Sequence, residues 1–218
     1  MQPPHERPTR PRGTALEGAN ALLVIDMQNA FLHPRGSIYQ YRDGMTLLGI
    51  ERTIANTAQA VEMANQHAIP VIYTRHSYRS DYLDASPVTK ALFHRMGTRP
   101  LLSGTWDAQV IDELPIRSES LVVDKTRFDA FYNSDLEVLL RGIGGNHLVV
   151  TGIVTNACVE TTTRAAAMRD FDVTILADCC TTYSNEHQLH ALEVLDFYML
   201  AKIDTLLRER EIRKGETR

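Results

Sequence analysis

The 218-residue chain is poor in cysteine, in aromatic residues and in long apolar runs. Three cysteines cannot build a disulfide framework, and an odd count sits badly in a secreted protein, so a reducing cytoplasm is the expected compartment. No stretch approaches the roughly 18 apolar residues of a membrane-spanning helix; the longest aliphatic block is Ala21 to Ile25. The opening MQPPHERPTRPRG lacks the apolar centre of a secretory signal. Basic charge is scarce except at the two ends, where Arg7, Arg10 and Arg12 and then Arg208, Arg210, Arg213, Lys214 and Arg218 lie. The net charge of −4 therefore understates how acidic the body is, which argues against nucleic acid as a partner. Neither nucleic acid nor membrane is expected to bind.

The remainder is typical of a globular protein with one sizeable core: 44% hydrophobic and 23% charged. Four of the nine prolines (Pro3, Pro4, Pro8, Pro11) make the start unfit for helix or central strand, so residues 1–18 read as an extended arm. Residues 19–207 read as the domain and 208–218 as a charged tail. Within the domain, ALLVID (21–26) has the unbroken aliphatic character of a strand buried on both faces. Further strands are expected at 69–74, 121–125, 147–152, 173–177 and 201–204. Helices are expected at 46–67, 134–141, 156–169 and 185–200, with an irregular excursion over 75–107 and a terminal helix. Gly142, Gly144 and Gly145 mimic a phosphate loop, but a strand follows them where a dinucleotide fingerprint needs a helix. Alternating strands and helices predict a single α/β domain with an open parallel sheet of five or six strands and helices on both faces.

Ligands of such sheets bind at the carboxyl ends of the strands. Asp26 ends the first strand, Lys125 the third, and Cys158 opens the helix after the fourth. A thiol in a first helical turn, with Thr155 or Asn156 as cap and a lysine nearby, is expected to have a lowered pKa. The unpaired amides of that turn can receive an oxyanion, and a carboxylate can carry the proton. The same residues also admit an ordinary reading, in which the cysteine packs in the core, the aspartate turns the chain and the lysine is solvated.

Five segments, in order, resemble the isochorismatase-like cysteine hydrolases: LLVIDMQNAF (22–31), VIYTRH (71–76), VVDKTRFDAF (122–131), VVTGIVTNACVETTTRAA (149–166) and ILADCC (175–180). The resemblance implies a Rossmann-like domain with six parallel strands, commonly a homodimer or homotetramer. It implies Asp26, Lys125 and Cys158 as a catalytic triad. It also implies a cis peptide between Ile153 and Val154, with the Val154 and Cys158 amides forming the oxyanion hole. The family chemistry is hydrolysis through a thioester, without a cofactor, on a small-molecule amide.

Members that cleave isochorismate generally lack the cysteine, so its presence favours C–N hydrolysis. Nicotinamidase-like members carry a metal-binding Asp-x-His after the second strand; here Thr74 to Asp81 has none. A zinc site from His76, His94 and Asp81 is the metal-binding alternative, though solvated or packing roles are the commoner use of such residues, and no metal is expected. Gly104–Asp107 and Lys125–Phe128 look closer to the carbamoyl and ureido amidohydrolases. Candidate pocket residues are Asn29, Phe31, Trp106, Phe128, Phe131 and Tyr132, with Arg75, Arg79 or Arg127 as possible partners of a substrate carboxylate. A nicotinamidase-like or isochorismate-type hydrolase is the alternative on the same fold. A non-catalytic binding module, and a redox protein using Cys179 and Cys180, are the readings from other classes.

Overall fold

The computed structural model describes residues 16–42, 45–114 and 116–206. Most of the expected N-terminal arm, the charged tail and the body of the terminal helix lie outside the described residues. Leu16, assigned to the arm from sequence, is 1% exposed and packs into the core.

A six-stranded sheet orients the site. Its strands are β1 (Ala21–Ile25), β2 (Val71–His76), β3 (Leu121–Lys125), β4 (His147–Ile153), β5 (Asp172–Thr181) and β6 (Lys202–Asp204). All neighbours are parallel, in the order β3-β2-β1-β4-β5-β6. The chain starts in the middle and winds outward both ways, so connections leave β1 and β4 on opposite sides and open a crevice beyond their carboxyl ends.

Side chains alternate along each strand, and in β1 and β4 both faces are covered, which is why these strands read as apolar runs, whereas the edge strand β3 leaves Val122 and Asp124 exposed. Ala21, Leu23 and Ile25 face Leu136, Leu140, Ala166 and Leu195, carried by α5 (Leu136–Ile143), α6 (Glu160–Ala167) and α7 (Asn185–Phe197). Leu22 and Val24 face Ala60, Val61 and Ala64 on α3 (Ile50–Gln66). The excursion after β2 forms a small core of its own, with Tyr78, Phe93 and Leu101 around α4 (Pro87–Met96). Ser86 caps α4 by accepting from the Thr89 amide, and Pro87 occupies the first turn, where a missing N–H costs nothing.

Several boundaries differ from expectation. The helix expected from residue 46 begins at Ile50, because Gly49 takes a left-handed φ of 55°. Gly142 does not close α5; the helix runs to Ile143 and Gly144, at φ 83°, follows it. The fifth strand extends past Ala177 to Thr181, with a register shift opposite Val150 and Gly152. Two short helices, α1 (Asn29–Leu32) and α2 (Ser37–Tyr41), fill the β1–α3 connection. None of the helices is long and apolar enough to cross a membrane among the described residues.

Candidate active site

Register brings the carboxyl ends of β3, β2, β1 and β4 level. Ile25 lies opposite both Thr74 and Gly152, and His76 lies opposite Lys125. The β1–β4 approach requires a glycine: at Gly152, with φ 114°, a Cβ would lie 2.1 Å from the Ile25 carbonyl oxygen. Asp26, just beyond β1, adopts a positive φ of 54°, a conformation aspartate tolerates better than most residues. The peptide between Ile153 and Val154 is cis, where the resemblance puts it.

The three residues singled out at strand ends converge. Lys125 Nζ lies 2.7 Å from Asp26 Oδ2, with both residues 1% exposed. Asp26, His76 and Cys158 present their oxygen, nitrogen and sulfur atoms within 4.8 Å of one another. Asp26 Oδ1 accepts from the Thr74 hydroxyl at 2.8 Å, which leaves Oδ2 to face the lysine and the thiol.

His76 joins this cluster, a place that sequence reasoning did not give it. Its Nε2 is 3.0 Å from Lys125 Nζ, 3.5 Å from Asp26 Oδ2 and 3.6 Å from Cys158 Sγ. An ammonium only donates, so Nε2 accepts from Lys125 and the ring proton sits on Nδ1. Nδ1 is 3.3 Å from Tyr78 Oη, which donates onward to the Thr126 carbonyl at 3.2 Å. Lys125 also donates to the Arg127 carbonyl at 2.9 Å. The lysine is thus held from several sides, and its charge is directed at Asp26.

The protonation states follow from burial and neighbours. Burial pushes the Asp26 carboxyl up, but Lys125 and His76 beside it, with hydrogen bonds from Cys158 and Lys125, hold it below its usual range. Burial alone would lower Lys125; the negative charge of Asp26 raises it instead. Burial and the Lys125 charge push His76 down to about 3, so the ring is neutral at pH 7. The expected low thiol pKa is not found. Burial pushes Cys158 well up and outweighs Lys125, and its bond to Asp26 favours the protonated form. The turn it occupies, Thr155–Val159, is a five-residue π-turn, and neither Thr155 nor Asn156 caps it. Thr155 Oγ1 is buried without a partner, and Asn156 Oδ1 accepts from the Thr182 hydroxyl. The cluster at pH 7 is a thiol, a carboxylate, an ammonium and a neutral imidazole.

The metal alternative does not assemble. Asp81 is exposed and paired with Arg79, and His94 is exposed on α4, while His76 turns inward. Lys125 Nζ already supplies the positive charge between Asp26 and His76 that a cation would bring.

Among the pocket candidates, Phe31 and Phe128 meet His76 edge-on, with ring centroids 6.2 and 6.3 Å away. Phe131 is 6% exposed and packs on Phe171, under the Arg169 guanidinium. Asn29 spends its amide on the Trp106 carbonyl at 2.9 Å, and the Trp106 ring packs on His33 and Arg35. Tyr132 lies under Arg127 at the surface. The three arginines considered for a substrate carboxylate are committed elsewhere: Arg75 to Asp124, Arg79 to Asp81, and Arg127 to the Asp84 and Thr126 carbonyls. Cys179 and Cys180 are both buried thiols within β5.

Comparison with known proteins agrees with this geometry. An Isochorismatase domain profile matches residues 20–205. A ureidoacrylate amidohydrolase, RutB, of Variovorax paradoxus is 35% identical over 188 residues, covering 80% of this chain and 74% of its own. An isochorismatase family protein from Desulfovibrio vulgaris superposes with a TM-score of 0.77 at 26% identity, covering 89% of this chain and 97% of its own. A cysteine hydrolase from Pseudomonas syringae pv. phaseolicola gives 0.76 at 26% identity, covering 90% and 92%. With a profile that spans nearly the whole domain and a sheet wound in the same way, the chain belongs to the isochorismatase family.

Proposed function

We propose that the protein is a cysteine-dependent amidohydrolase that cleaves a C–N bond of a small ureido or carbamoyl compound. The observation that carries this reading is the convergence of a thiol, a carboxylate and an ammonium on one buried point at the switch of the sheet. The ureidoacrylate amidohydrolases among its relatives support the substrate class.

The geometry suggests an order of events. Because the resting cysteine is a thiol, its proton leaves only as the substrate arrives, passing to Asp26 Oδ2 while sulfur attacks the carbonyl carbon. Val154 and Cys158 amides receive the oxyanion in this account. As the C–N bond breaks, Asp26 returns the proton to the departing amine. For a ureido substrate this leaves a carbamoyl group on sulfur. Water then attacks it, giving up a proton to Asp26; the C–S bond breaks, Asp26 returns that proton to the Cys158 sulfur, and the carbamate released decomposes to carbon dioxide and ammonia. Lys125 keeps Asp26 ionised when empty, and neutral His76 keeps Lys125 in place without competing for the thiol proton. Since the nucleophile must stay reduced, the cytoplasm is the compartment we propose, with a homodimer or homotetramer as the assembly.

The test is ammonia release from a panel of ureido, carbamoyl and primary amide compounds, with Cys158→Ala alongside. Turnover of a ureido or carbamoyl compound that vanishes in the variant supports the reading. Turnover that survives at wild-type rate in Cys158→Ala refutes it.

A further inference from the structure

A cleft of about 290 Å³ lies between the β1–α3 connection and Tyr183 and has no part in the chemistry described so far. Two of its walls are one step from the reacting groups. Phe31 lines it and meets His76 edge-on. Tyr183 lines it and follows Thr182, whose hydroxyl donates to Asn156 at 2.7 Å, two residues before Cys158. The far wall is anchored to the same strand end, since the Leu48 amide donates to the Thr182 carbonyl and the Leu48 carbonyl accepts from Thr181.

The cleft holds one cation, Arg42, at the carboxyl end of α2. Its guanidinium lies over the Tyr183 ring, 4.3 Å from the centroid. Among the described residues it forms no ion pair with a carboxylate, and the one acidic residue among them that lines the cleft, Glu51, is exposed on the first turn of α3. A guanidinium carries five N–H donors, so one held against Tyr183 keeps others to match the two oxygens of a carboxylate. Stacking also fixes the side chain beforehand, which lowers the entropy cost of binding.

We propose that Arg42 is the subsite for a substrate carboxylate, so that the preferred substrates are ureido acids, with the ureido carbon at Cys158 and the acid in the cleft. This rests on the amidohydrolase reading and names what that reading leaves open. Arg42 acts on binding and selectivity, not on bond breaking.

The experiment compares 3-ureidoacrylate with its methyl ester, which carries the same ureido group and chain without the charge. In the wild-type enzyme kcat/KM should favour the acid, and in Arg42→Met the acid-to-ester ratio should fall by about 10- to 100-fold, the worth of a charge-assisted pair. Arg42→Lys, which keeps the charge and loses the fork, should fall by less. A ratio unchanged in Arg42→Met overturns the proposal while leaving the amidohydrolase reading intact. If neither compound is turned over by the wild-type enzyme, the amidohydrolase reading is what suffers. Calorimetric binding of 3-ureidoacrylate to Cys158→Ala, with and without Arg42→Met, then decides the subsite by itself: a loss of affinity of similar size upholds it, and equal affinity or no binding to either protein overturns it.

Discussion

Replacing Lys125 by methionine removes the one charge that keeps a fully buried carboxylate ionised. Lys125 Nζ sits 2.7 Å from Asp26 Oδ2, and both side chains are essentially inaccessible. Removing one partner of such a pair costs about 3–5 kcal/mol, because the other is left buried and uncompensated. The protein has a way to reduce that cost: it can take up a proton on Asp26, or share it with His76, whose Nε2 lies 3.5 Å away. In the wild-type protein the Asp26 pKa is depressed, so its contribution to stability is present above the unfolded aspartate value and is lost as pH falls through the folded one. In Lys125→Met the sign reverses. The folded variant holds one more proton than its own unfolded state, whereas the wild type holds the same number in both, so the destabilisation should grow by about 1.4 kcal/mol per pH unit. Urea unfolding of both proteins at pH 5.5 and 7.5 should therefore give a difference larger by about 2.7 kcal/mol at the higher pH. Asp26→Asn in the same background should recover most of the loss at pH 7.5. A destabilisation independent of pH, or a double variant no more stable than Lys125→Met, would refute this electrostatic reasoning.

Other expectations follow from the same geometry. Alkylation of Cys158 by iodoacetamide in the empty enzyme should be slow at pH 7 and keep rising beyond pH 9, because burial raises the thiol; a reaction that plateaus below pH 8 would show a resting thiolate instead. His76→Ala takes away the acceptor that holds Lys125 Nζ at 3.0 Å, and kcat should fall by about 10- to 100-fold. His76→Gln can still accept from the lysine and should recover part of that loss, whereas equal losses in both variants would assign His76 some other role. Gly152→Ala would drive a Cβ to 2.1 Å from the Ile25 carbonyl, and urea unfolding should register a loss of about 3 kcal/mol or more.

The sheet was legible because its central strands are buried on both faces. ALLVID and HLVVTG carry no polar alternation, and each ends at a residue that the topology sends to the same edge. Asp26, Lys125 and Cys158 could be grouped for that reason. His76 met the same criterion and escaped it. The apolar run IPVIYT suggested a strand ending at Thr74, whereas pairing of Arg75 with Asp124 and of His76 with Lys125 carries β2 two residues further. Strand ends are set by what the neighbouring strand offers, and hydropathy does not record that. The thiol pKa was misjudged on similar grounds. A first-turn position and a nearby lysine are local features, but the burial that outweighs them comes from the whole fold. Arg42 follows a five-residue helix without a periodic signature, and only the packing of the β1–α3 connection against Tyr183 reveals it.

The central claim is that Cys158 becomes covalently carbamoylated during turnover. It is tested most directly by mixing the enzyme with 3-ureidoacrylate labelled at the ureido carbon, quenching in acid on the millisecond scale and mapping the label by peptide mass spectrometry. The account predicts label on the Cys158 peptide, appearing before free carbamate and decaying as product forms. Steady turnover with no label on that peptide at any time would contradict it.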